Sequence, residues 1–125
     1  MAEDRKAFVI KEDERGEITV AEEVVAIIAG IASTEVEGVS SMSGNITNEI
    51  VAKLGMKNLS KGVRVEMNEN NVSVLVSIIV DYAASVPEVS RKVQERIKTS
   101  IENMTGLNVA EVNVKIAGID VSKDN

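Results

Sequence analysis

Val72-Ser73-Val74-Leu75-Val76-Ser77-Ile78-Ile79-Val80-Asp81-Tyr82 is the stretch that decides how this chain folds. Val72, Val74, Val76, Ile78, Val80 and Tyr82 recur at every second position, the period of a strand with one face against a core. Leu75 and Ile79 make the opposite face partly apolar too, which predicts a strand in the middle of a sheet rather than at its rim. Upstream, Val63, Val65 and Met67 alternate in the same way. Asn68-Glu69-Asn70-Asn71 between the runs is rich in residues that tolerate left-handed turns, so the pair reads as a β-hairpin.

Downstream, Ser85-Val86-Pro87-Glu88 opens a helix, either with Ser85 capping and Glu88 completing a capping box or with Pro87 at the first helical position. Val89, Val93, Ile97, Ile101 and Met104 make its predicted buried stripe, and Gly106 stops it. Glu88/Lys92, Arg91/Glu95 and Lys98/Glu102 stand four apart on its wet side. A last strand follows, alternating Val112, Val114 and Ile116 with Asn113, Lys115 and Ala117.

Upstream of the hairpin, Thr19-Val20-Ala21-Glu22 has the pattern of a capping box, and Val20, Val24, Ile27, Ile28 and Ile31 continue it at the helical period. Ala21, Val25, Ala29 and Ala32 make the other flank of this helix apolar as well, so it needs cover on more than one side. A second element of the same domain is the favoured cover; a second copy of the chain is the alternative, which makes these four residues a candidate self-association surface. Gly38 ends the segment, residues 39–42 suggest a short strand, and residues 45–54 suggest a short helix. The expected fold is α/β, of α+β type. It has a small mixed sheet of three to four strands including the central hairpin, with two main helices and one short helix mainly on one face. Residues 16–120 form the single domain, flanked by segments expected to fray, 1–15 and 121–125.

Composition narrows the chemistry. The 125 residues contain neither histidine nor cysteine, which removes a Ser-His-Asp triad, a thiolate metal site, a thiol nucleophile and any disulfide. Glycines at 16, 30, 38, 44, 55, 62, 106 and 118 form no G-x-x-G clamp, dinucleotide fingerprint or Walker loop. Fourteen basic against twenty acidic residues give a net charge of −6, which disfavours nucleic acid. The first fifteen residues lack an apolar signal core, and the longest near-continuous apolar run, residues 24–32, is about half of the ~18 that suggest a span. The expectation is a cytoplasmic protein without a span of its own, with no cofactor, metal or small-molecule substrate, that binds other proteins. The acidic residues read as exposed or capping groups, because no pair of carboxylates is seen to converge. Two basic groups are candidate partner-binding residues: Lys53, Lys57, Lys61 and Arg64, and Arg91, Lys92, Arg96 and Lys98. A solvated helix face and loop is the plainer reading of both.

The residues also resemble a known family. Gly16-Glu17-Ile18-Thr19-Val20, the Val-Ile-Ala helix and Glu37-Gly38-Val39 are similar to the opening of the alkaline shock protein, or envelope stress response, family of Gram-positive bacteria. Lys61-Gly62-Val63-Arg64-Val65, Val80-Asp81-Tyr82, Val86-Pro87-Glu88-Val89, Val93-Gln94, Asn103-Met104-Thr105-Gly106-Leu107 and Val112-Asn113-Val114 follow its pattern in order. Two positions depart from it: Ala83-Ala84 stands where a glycine usually follows the tyrosine, and Lys115 where a histidine often sits. The resemblance implies a non-enzymatic, self-associating scaffold held near the inner face of the membrane by a membrane-anchored partner. A soluble regulator of a fatty-acid or phospholipid synthesis enzyme is the alternative that it leaves open.

Overall fold

The alternating run is a strand in the computed structural model, which describes residues 7–43, 60–68 and 71–121. In chain order the elements are β1 Ala7–Asp13, β2 Gly16–Ala21, α1 Glu22–Thr34, β3 Val39–Met42, β4 Val63–Asn68, β5 Asn71–Asp81, α2 Val86–Thr105 and β6 Asn108–Asp120. β5 is central, as its two apolar faces require. β4 pairs antiparallel with its first half, from Asn68↔Asn71 to Val63↔Val76, and β3 with its second half, from Met42↔Ile78 to Val39↔Val80. β6 runs parallel along the other side of β5 for its whole length. The predicted short helix at 45–54 lies outside the described residues.

Val72, Val74, Val76, Ile78 and Val80 are all buried beneath α1 and α2. Alternation therefore does what it promised: one face of β5 closes the core. Val25 and Ala29 of α1 and Val93, Ile97 and Ile101 of α2 meet it without accessible surface. Each valine or isoleucine side chain so removed from water contributes roughly 1.5–3 kcal/mol, so this aliphatic layer is the main stabilising term.

The long helix starts and stops as its sequence dictates. The Ser85 hydroxyl accepts the Glu88 N–H at 3.4 Å, Pro87 lies in the first turn, and Gly106 closes the helix at φ +80°. Its stripe departs from expectation at one end, where Met104 is 70% exposed and Thr105 is buried instead. Thr105 Oγ1 donates to the Ile101 carbonyl at 2.6 Å and accepts the Leu107 N–H at 3.1 Å. The hydroxyl thus satisfies its own polarity, and the chain turns back so that Leu107 fills the corner expected for Met104.

The N-terminal reading needs larger corrections. Thr19 and Val20 belong to β2, and α1 begins at Glu22 with Ala21 as N-cap and no side-chain capping bond, so the Thr19/Glu22 capping box does not form. Strand pairing prevails because Ile18-Thr19-Val20 is rich in β-branched residues and finds a partner in the segment expected to fray. Residues 7–13 form β1, joined to β2 by a two-residue turn, with Phe8 opposite Val20 and only 4% exposed. Asp13 holds that turn by accepting the Arg15 N–H at 2.8 Å.

Ala83, at the glycine position of the family pattern, adopts φ +76°. A side chain in the left-handed region costs roughly 1–2 kcal/mol, partly offset by the greater unfolded freedom of glycine. Ala83→Gly is therefore expected to stabilise the chain by about 0.5–1 kcal/mol, read as a higher urea midpoint with an unchanged slope.

Candidate interaction surface

The self-association flank proposed on α1 faces inward. Val25, Ala29 and Ala32 are 0%, 0% and 2% exposed, and Ala21 is half-buried at the cap, because α1 packs against α2 on one side and β3, β4 and β5 beneath. Its two-sided apolarity is thus covered within the chain.

The basic residues do not gather into one patch. Lys53 and Lys57 lie outside the described residues. Lys61 and Arg64 are exposed, and Arg64 borders a shallow groove whose other charged walls are Glu22, Glu23 and Glu66. On α2, Arg96 reaches Glu35 at the end of α1 at 2.8 Å, Lys92 pairs with Glu88 at 3.7 Å, and Lys98 with Glu102 at 2.9 Å. Arg91 is exposed. Three of the four α2 cations thus already face carboxylates of this chain. Exposed pairs of this kind stabilise by only ~0.2–1 kcal/mol each, but they reduce the charge offered to an anionic partner.

Sequence reasoning missed a row of contacts along the flank of α2. Glu102 Oε2 accepts the Val109 N–H at 2.9 Å, and Lys98 Nζ donates to the Val109 carbonyl at 3.0 Å. One turn earlier, Gln94 Nε2 donates to the Val112 carbonyl at 3.0 Å. Spaced four apart, these three side chains reach the main chain of β6 and hold the start of that strand to the helix. The Val109 amide and then Lys98 keep the Glu102 carboxyl below the usual carboxylate range. That contact is therefore complete above the unfolded carboxylate pKa and is lost as pH falls through the lowered folded value. The i,i+4 pair and the last strand were both visible in sequence, whereas the contact between them was not.

Among the described residues, no group of acidic side chains could hold a metal ion, and no helix is long and apolar enough to cross a membrane. β6 pairs only with β5 among them, so its outer side is a sheet edge. Exposed apolar side chains lie near the ends of this edge: Tyr82, Ile119 and Val121 at one, Met104 at the other.

The model of the alkaline shock protein 23 family, described as having a cell envelope-related function, matches residues 10–121, from within β1 to the end of β6. The chain belongs to that family. The match begins within the segment 1–15 that sequence reasoning had set apart from the domain. Among relatives, YqhY of Bacillus subtilis is 39% identical over 104 residues, 83% of this chain and 77% of that one. YloU of the same organism is 30% identical over 109 residues, covering 86% of this chain and 91% of YloU. A stress response regulator gls24 homolog of Streptococcus pyogenes is 30% identical over 106 residues, 84% of this chain and 59% of that protein. Family membership thus ties the chain to a cell envelope-related family.

Proposed function

We propose that this family member is a non-enzymatic, self-associating scaffold of the envelope stress response, acting on the cytoplasmic side of the membrane through a membrane-anchored partner. The observation that carries the reading is the family match over residues 10–121 with its cell envelope-related description. One feature of the molecule supports it. The exposed charges of α2 are largely engaged with carboxylates of the same chain, which leaves sheet edge and apolar side chains as the surfaces open to another protein. The lipid-synthesis regulator reading would instead use the two basic groups, Lys53, Lys57, Lys61 and Arg64 and the α2 cations, and the ion pairs weigh against the second of them.

Light scattering over a wide concentration range tests the self-association. A mass that rises with concentration is expected; a monomer throughout, with and without membrane extract, defeats the reading. Affinity capture tests the anchor, with recovery of a membrane protein expected and recovery of lipid-synthesis enzymes in its place counting for the regulator.

A further inference from the structure

The outer side of β6 is a sheet edge among the described residues, and its sequence is self-complementary. Register shifts against β5 leave Ala110 and Ala117 as extra residues on β6, so the regular stretch between them is Glu111-Val112-Asn113-Val114-Lys115-Ile116. Read outward from Asn113, this stretch has Val112 and Val114 at equal distance on its two sides, then Glu111 and Lys115, an acid and a base. Glu111, Asn113 and Lys115 are exposed and share the sheet face opposite the helices, where the Asn113 side chain donates to Glu111 Oε2 at 3.3 Å. No ion pair engages Lys115 among the described residues.

We propose that two copies of the chain join antiparallel along β6, about a two-fold axis at Asn113; the proposal deepens the self-association reading and rests on it. In that register Glu111 of each copy faces Lys115 of the other, Val112 faces Val114, and the two Asn113 residues face each other. Opposite charges and branched apolar residues directly across a seam are the favourable cross-strand pairs. Val112 and Val114 exchange the seam's main-chain hydrogen bonds, and the Val112 carbonyl keeps a second lone pair beside the one that Gln94 uses. The same register carries Ile119 and Val121, 50% and 61% exposed, toward the start of the other copy's β6, where Met104 is 70% exposed. Apolar contact therefore flanks the seam at both ends.

The edge is bounded as well as complementary. Both main-chain groups of Val109 are taken by Glu102 and Lys98, and the bulges bend the strand on either side of the regular stretch. A two-fold seam uses this edge completely in both copies, so it closes at a dimer and longer assemblies must grow from another surface.

The absence of cysteine makes the test clean. In a non-hydrogen-bonded antiparallel pair the facing Cα atoms are ~4.5 Å apart, within the range a disulfide spans. Asn113→Cys is expected to give a covalent dimer under mild oxidation, while Glu66→Cys on β4 gives none. Lys115→Glu, which puts two like-charge pairs in the seam, is expected to weaken dimerisation by about 10-fold or more, and Glu111→Lys added to it to restore the affinity to within about threefold. A wild-type dimer that persists while Asn113→Cys cross-links no better than Glu66→Cys, or while Lys115→Glu has no effect, overturns the β6 seam and leaves self-association standing. A wild-type chain that stays monomeric overturns both.

Discussion

Gly38→Ala is expected to lower stability by about 2–5 kcal/mol, the sum of a backbone cost and a packing cost. Gly38 lies in the turn from α1 to β3 at φ +103°, and a Cβ there would stand 2.6 Å from Val89 Cγ2 in the first part of α2. Its carbonyl also accepts the Asp81 N–H at 2.9 Å, so the turn cannot move away without pulling on the end of β5. Urea denaturation reads the loss directly. Val89→Ala makes room for the new methyl, so Gly38→Ala should cost about 1 kcal/mol less in that background than alone, the coupling expected of residues in contact. A loss below 1 kcal/mol in the wild-type background would contradict the close approach.

The second large effect contrasts two residues that look equivalent in sequence. Ile97→Ala removes a fully buried side chain between α2 and the sheet and is expected to cost about 2–5 kcal/mol. Met104→Ala, seven residues further along the predicted stripe, should change stability by no more than about 0.5 kcal/mol, because Met104 is exposed. Equal losses would restore the five-residue stripe and displace Thr105 from the core. Thermal denaturation of both variants is sufficient, provided they are compared at one temperature.

Where local rules and tertiary demand agree, the sequence was readable. β5 and α2 carry clear periods with caps and turn residues at both ends, and β3 lies between a glycine and a small polar run. Thr19-Val20-Ala21-Glu22 misled because a capping box and a β-branched strand can share the same letters, and only a partner decides between them. That partner, Phe8-Val9-Ile10, sits across a Glu14-Arg15 turn without the Asn-Gly signature that marks a hairpin. The two-sided apolarity of α1 was real, yet sequence does not say whether the cover comes from the same chain. Arg96 and Glu35 are sixty-one positions apart, so their pairing was invisible until α1 and α2 were placed side by side. The charges of Glu111 and Lys115 acquire meaning only once β6 is known to lie at an edge, which is a property of the sheet and not of the strand.

The placement of β6 also governs the order in which the molecule can be made. Synthesis delivers β4, β5 and α2 before the strand that covers the remaining side of β5, so a nascent chain carries that side of its central strand open until Asn108–Asp120 have left the ribosome. Completion of the sheet therefore waits on β6, which follows every other described element in the chain. Loss of β6 removes more than one strand: it leaves the central strand β5 with an unmatched row of amide and carbonyl groups, the condition under which chains pair with the wrong neighbour.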